Sequence, residues 1–303
     1  MTDTDNLGRT IRLFLADGRP SGVLTAEIMN WIGKAVVGGR ADMPQVVKRP
    51  EASRTGIYFL IGPDPDSLEK SRVYVGEGDI IAERLKKHHS DPAKDFWTRV
   101  CFFVSKDENL TKAHARYLES RFIQIIGASG RAVLANGTDP SFDLLPEADR
   151  ADMEFFITQV RLLMPVLGFD VTREPVSVVA AQVSADPENP LFVIRSVGVD
   201  ACMSIVDDEY VVHEGSTARA DAKSSYNAYQ ALRKILIGEG KLERVPGNND
   251  LLRFRQDVPF SSPSAASSVI LDRNSSGPRE WRVDGEKTTF AEWQQAQIDA
   301  ISG

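Results

Sequence analysis

The sequence predicts an α+β protein: a small antiparallel sheet flanked by helices, followed by a second α+β domain. Three observations predict it. Short runs rich in branched and aromatic residues recur in the first half, as GIYFLIG (56–62), RVYVG (72–76) and RVCFFV (99–104). Between and after them, apolar residues fall at helical spacing. A stretch holding Pro175, Pro187 and Pro190 among small and acidic residues then precedes a fresh set of strands and helices. At 303 residues the chain is long enough for two cores.

In order, RTIRLFLAD (9–17) alternates as a strand with Ile11, Leu13 and Leu15 on one face. Thr25 stands as an N-cap ahead of Ile28, Met29, Ile32 and Val36, whose spacing predicts a helix ended by Gly38-Gly39. Residues 1–53 thus read as a strand–helix extension, either docking on the next domain or placing it on a partner. In the segment 54–168, GIYFLIG and RVYVG are two strands of a hairpin joined by the polar loop GPDPDSLEKSR (62–72). Asp79 is the expected cap of a helix to about His89, with Ile81, Ala82 and Leu85 as its buried stripe. Arg84 lies four residues before His88, so the two share a face. RVCFFV is the third strand. A helix from about Glu108 to Ile126 follows, with Tyr117, Leu118, Phe122 and Ile125 inward, Glu119 at the edge of that stripe, and a break at Gly127 to Gly130. RAVLANGTDP leads out to a helix over 147–166, patterned by Met153, Phe156, Ile157, Val160 and Leu163 and stopped near Pro165.

Residues 169–190 read as the linker and 191–303 as the second domain. There LFVIRS, DACMSIV and EYVVHEG predict a meander. Ser225 to Ile237 predicts a helix with a basic end, Arg253 and Arg255 alternate in LLRFRQD, and Ser262 or Ser264 caps a small-residue helix. Trp281 fills core. Arg233, Lys234, Lys241 and Arg244 either meet phosphates or form a solvated face.

Composition limits what the chain can do. The net charge of −7 weighs against a protein that coats nucleic acid by bulk electrostatics, so any such contact needs a local basic surface. No apolar run reaches transmembrane length and the polar start lacks a signal-type apolar segment. Cys101 and Cys202 make neither a disulfide framework nor a zinc pattern. A cytoplasmic protein with reduced thiols and no membrane partner is expected.

Five side chains carry the chemistry. Tyr58 and Tyr74 sit on the two hairpin strands, Arg84 and His88 on the helix after them, and Glu119 on the next helix. Phenols and an imidazole move protons, a guanidinium neutralises phosphate, and a carboxylate holds a divalent ion. Each alone is most often structural: a packed aromatic, a solvated arginine, an exposed helix end, a surface carboxylate. Their order is what the separate structural roles do not explain.

GIY, then YVG, then Arg84 and His88 in RLKKH, then Glu119, then Asn136 resemble the GIY-YIG nuclease family over residues 56 to 136, with Val75 where the family name has Ile. DFWTRVCFF and LTKAHARYLESRF look like one bacterial branch of it. The resemblance implies metal-dependent hydrolysis of a phosphodiester in nucleic acid, DNA first. Glu119 would bind Mg²⁺ or Mn²⁺, and Arg84, Lys87 and Asn136 would meet substrate, Asn136 as a hydrogen bond fixing the site. Tyr58 leads as acceptor of the attacking water's proton, with Tyr74 and His88 as alternatives or relay partners. The alternatives in function are a nucleic-acid binding module without turnover and a protein-interaction scaffold. SSPSAASSVILDRNSSGPREW is similar to a C-terminal domain of unassigned activity that recurs behind nuclease or restriction-associated modules. It implies a substrate- or protein-partner-binding role.

Overall fold

A computed structural model shows an α+β chain that divides into two compact units, Met1–Pro175 and Val176–Gly303. The structure describes all residues except 1–7, 66, 138–144, 174–188, 197, 207, 222–226 and 303. Among the described residues no helix is long and apolar enough to cross a membrane.

The first unit is built from β1 (Ile11–Leu15), β2 (Leu24–Ile28), β3 (Gly33–Gly39), α1 (Met43–Val46), β4 (Gly56–Asp64), β5 (Ser67–Gly78), α2 (Ile81–His89), β6 (Arg99–Ser105), α3 (Lys112–Ser129), β7 (Ala132–Leu134) and α4 (Glu147–Val166). One seven-stranded sheet runs β1-β2-β3-β6-β4-β5-β7, antiparallel except where β7 lies parallel to β5. Alternation along the strands sorts the core into two layers. Ile57, Phe59, Ile61, Val73 and Val75 face α3 and α4. Tyr58, Leu60, Phe102 and Val104 face α2 with Trp97, and Tyr74 packs against that layer.

Several elements depart from the sequence expectation. The helix expected over residues 25–36 is the hairpin β2–β3. Asn30, at φ 64°, turns the chain, and Met29 and Ile32 are exposed at its tip, so their helical spacing is incidental. Ala35 and Val37 bury on the α3–α4 side and Val36 on the other, which suits a two-sided strand. β3 pairs with β6 from Gly33↔Ser105 to Gly39↔Arg99, so the N-terminal segment extends the same sheet. The expected loop over 62–72 is mostly strand: β4 and β5 stay paired out to Pro63↔Ser71, and Arg72 reaches Asp64 at 2.7 Å.

Ile80, not Asp79, is the N-cap of α2. The Asp79 carboxylate is engaged instead by Lys112 at 2.7 Å. Thr111 caps α3 in a capping box with His114, and Glu108 sits before it at φ 61°. The helix runs through Gly127 and stops at Gly130, at φ 64°. Of the expected linker, residues 174–188 lie outside the described residues, while Phe169 and Val171 belong to the first core.

The second unit comprises β8 (Phe192–Ser196), β9 (Val199–Val206), β10 (Glu209–Val212), β11 (Thr217–Arg219), α5 (Gln230–Gly238), β12 (Leu242–Val245), β13 (Asn248–Phe254), β14 (Val258–Phe260), α6 (Pro263–Leu271), α7 (Gly277–Glu280), β15 (Arg282–Val283) and α8 (Phe290–Ser302). A five-stranded sheet, β14-β10-β9-β8-β15, contains the meander, and β11-β13-β12 form a second sheet. The start of the expected 225–237 helix lies outside the described residues. Ser262 caps α6 by accepting from Ala265 N at 3.0 Å. Trp281 is buried and donates from Nε1 to Pro263 O at 3.0 Å. A side chain at Gly277 would strike the same Pro263 backbone, so the Gly-x-x-x-Trp spacing locks α7 onto the start of α6.

Candidate active site

Four of the five expected chemical side chains gather where β4 and β5 face α2. The Tyr58 hydroxyl and His88 Nε2 share a hydrogen bond of 2.7 Å. The Tyr58 and Tyr74 rings lie 6.2 Å apart, and the Tyr74 and His88 rings 5.1 Å. Arg84 stands one turn before His88 on α2, and its Nε is buried without a hydrogen-bond partner. The glycines of the strand explain how so many groups fit. A Cβ at Gly76 would overlap the Tyr58 hydroxyl, and one at Gly78 would lie 2.6 Å from Arg84 Cγ. The Gly of YVG is therefore the floor under the first phenol, a steric reason for that residue at that spacing.

Burial separates the two phenols. Tyr58 has no solvent-exposed surface, whereas Tyr74 is half-buried. The phenol that meets solvent is Tyr74, and Tyr58 with His88 forms a covered pair behind it. The phenol expected to lead as acceptor of the water's proton, Tyr58, is thus the covered one of the two. Burial raises the pKa of both phenols. For Tyr58 the neighbouring Tyr74 adds to the rise, and for Tyr74 the Glu119 charge does; the Arg84 cation opposes both. Burial lowers the pKa of His88 to about 4, helped by the cations of Lys94 and Arg84, so the imidazole is neutral at pH 7.

Glu119 comes from the other layer. Its helix α3 packs on the opposite side of the sheet from the phenols, and the side chain is half-buried. β7 covers the outer flank of β5 only from Ser71 to Val73, and beyond Val75 no strand lies there among the described residues. Near that open flank the charge of Glu119 acts on Tyr74 and Tyr58, and that of Arg84 acts on Glu119. Its pKa is raised to about 7, first by burial and then by Glu77, with Arg84 and Arg116 opposing. The expected convergence is thus four groups on one face and a carboxylate coupled to them from the opposite layer.

Asn136 holds this flank in place. Its Oδ1 accepts from Val75 N at 3.0 Å and its Nδ2 donates to Val75 O at 2.8 Å, like one rung of a strand. That engagement fixes the residue beside Tyr74, the hydrogen bond expected of Asn136 in holding the site. Lys87 is exposed on α2.

Three neighbours were not legible in the sequence. Glu77, directly after YVG, has one carboxylate oxygen 3.9 Å from Arg116 Nε and the other buried with no partner. Lys94 holds its ammonium 3.3 Å from the centre of the Tyr74 ring. Arg116, one turn before Glu119, is exposed. The position of Glu77 beside the motif was the one available signal; Lys94 comes from a turn, where periodicity says nothing.

Among the described residues no group of three or more His, Cys, Asp and Glu could hold a metal ion, so a closed protein cage is not built here. Glu119 with the orphaned Glu77 oxygen suits an ion that takes one or two carboxylates and completes its shell with water and substrate phosphate, as Mg²⁺ does.

In the second unit, Arg233 is buried rather than part of a basic face. It donates to the carbonyls of Val269, Arg219 and Ala220 and lies 3.4 Å from Asp272. Lys241 and Arg255 pair with Glu239 and Glu243. His213 is buried 3.6 Å from Asp257, and Ser216 exchanges hydrogen bonds with the Cys202 backbone.

Residues 192–294 match the family model described as Domain of unknown function (DUF4357). No GIY-YIG family model matches the chain. No curated protein and no solved structure matches it.

Proposed function

We propose that the first unit is a GIY-YIG-type endonuclease that hydrolyses phosphodiester bonds in nucleic acid, DNA first, with a divalent ion. The observation that carries this reading is the packing of two phenols, a neutral histidine and an arginine into one cluster coupled to a carboxylate. Mg²⁺ or Mn²⁺ would be held by Glu119 with Glu77 beside it, and would supply positive charge at the leaving oxygen.

The chain's own groups do the rest. Water attacks phosphorus, forming the new P–O bond as the bond to the leaving sugar oxygen breaks. The water's proton passes to the Tyr74 hydroxyl, whose own proton moves to Tyr58, and that of Tyr58 to His88 Nε2. The leaving oxygen takes a proton from solvent. Both phenols are hard to ionise, so these transfers run in concert without a free phenolate. A neutral His88 offers the lone pair that ends the relay, and the arriving phosphate's negative charge raises its basicity. Arg84 binds the developing charge on the phosphate.

The second unit would bind substrate or a protein partner. The two cysteines are both free thiols, which suits a reducing cytoplasm. The test is nicking of supercoiled plasmid and cleavage of structured RNA by the full chain with Mg²⁺ or Mn²⁺. Glu119→Ala is expected to lower the rate by about a hundredfold or more. Cleavage that needs no metal, or that survives the substitution, overturns the assignment.

A further inference from the structure

We propose that Lys94, seated on the Tyr74 ring, binds a backbone phosphate of the bound strand together with Arg84; this rests on the nuclease reading above. Lys94 ends the short turn Pro92–Lys94 that follows α2. That turn is fixed twice over. The Asp91 side chain accepts from Ala93 N at 3.0 Å, and Arg40 donates to the carbonyls of Lys94, Asp95 and Trp97 at 3.0–3.5 Å. The Lys94 backbone is therefore held, and its half-buried side chain lies over the exposed side of the site with Nζ 3.3 Å from the Tyr74 ring centre.

What this ammonium lacks is an anion. Among the described residues no carboxylate lies within ion-pair distance of it. Asp91 is the acid whose charge acts on it, but that carboxylate caps its own turn. Removing an ammonium from water without a counter-charge is costly, and an aromatic face offsets only part of the cost. Arg84 is turned toward Tyr58, and its Nε is buried with no hydrogen-bond partner. Two cations thus act on the solvent-facing phenol, and among the described residues neither stands in an ion pair with a carboxylate. A phosphodiester oxygen supplies the missing charge and at the same time lies beside Tyr74. Lys86 and Lys87 on the last turn of α2 are exposed and add positive charge to the same helix that carries Arg84 and His88.

The test uses the full chain carrying Glu119→Gln, so that binding is measured without turnover. Affinity for a labelled DNA duplex is followed over a salt series, with Lys94→Met and Lys94→Arg added in turn. Lys94→Met is expected to weaken binding about fivefold or more and to lower the slope of log affinity against log salt by about 1, the loss of one phosphate contact. Lys94→Arg should keep both. In parallel, inorganic phosphate is titrated against protein with labelled tyrosine rings, where the Tyr74 resonances should shift in the parent and not in Lys94→Met. If duplex binds and Lys94→Met changes neither slope nor affinity, the Lys94 assignment is overturned while the nuclease reading stands. If no nucleic acid binds but phosphate still shifts Tyr74 in a Lys94-dependent way, the nuclease reading falls and the anion seat survives. A Tyr74 signal indifferent to phosphate, with no duplex binding, overturns both.

Discussion

Glu119 and His88 tilt the stability of the first unit in opposite directions over nearly the same pH range, and removing either should expose the other. The Glu119 carboxyl rises from 4.5 to about 7 on folding, so the folded state holds its proton more tightly. Its contribution is fully present below pH 4.5 and is lost as pH rises through 7. His88 falls from 6.5 to about 4, so its contribution is present above pH 6.5 and is lost as pH falls through 4. At 1.36 kcal/mol per tenfold change in proton affinity, each shift corresponds to at most about 3 kcal/mol. His88 is buried and keeps most of that; Glu119 is partly solvated, and screening reduces its share to about 1–2 kcal/mol. In the parent the Glu119 slope offsets about half of the His88 slope between pH 4.5 and 6.5, leaving a shallower net rise with pH. Glu119→Gln should leave a first unit that gains stability with rising pH, and that exceeds the parent by about 1–2 kcal/mol at pH 8. His88→Gln should leave one that loses stability across the same interval. The assay is denaturant unfolding at five pH values without divalent ions, read by fluorine-labelled tryptophan at Trp31 and Trp97, which report the first unit alone. Identical pH slopes in parent and both variants would refute the electrostatic account of the site.

Gly76→Ala places a methyl group on the Tyr58 hydroxyl; it should cost about 1–3 kcal/mol of stability and most of the cleavage activity, checked by unfolding and plasmid nicking, and activity at the parent's level would contradict the steric role given to that glycine. Asn136→Ala leaves the Val75 N–H and C=O without their partner, so about 1–3 kcal/mol of local stability should be lost and the Val75 amide should exchange faster with deuterium. Arg233→Met should destabilise the second unit by about 3–5 kcal/mol through the stranded Asp272 and carbonyls, with no change in duplex binding; weakened binding in a folded variant would restore Arg233 to a phosphate-contacting role.

How much of this was legible depended on what each residue's signal was. The strands around Tyr58, Tyr74 and Cys101 announced themselves because they are buried on both faces and nearly continuous in apolar residues. α4 was equally plain, since twenty residues give the helical period room to repeat. Over residues 25–36 the same rule failed: a hairpin tip put Met29 and Ile32 in solvent at a spacing that mimics a helix, and only pairing with β6 decides the strand. The chemical residues could be picked by type and order, but their division of labour could not. That Tyr58 is covered and Tyr74 open follows from Gly76 and His88 closing over the first phenol. Arg233 looked like part of a basic face because a charged residue near α5's apolar stripe gives no hint that three carbonyls wait for it.

The most direct measurement is single-turnover cleavage of a DNA duplex in Mn²⁺ by the parent and by Tyr74→Phe, with both proteins shown to bind the duplex equally. The account predicts metal-dependent cleavage by the parent and a rate lower by about 10²–10⁴ in the variant, because the group that takes the water's proton is gone. A parent that binds duplex and never cuts it, or a variant that cuts as fast as the parent, would contradict it.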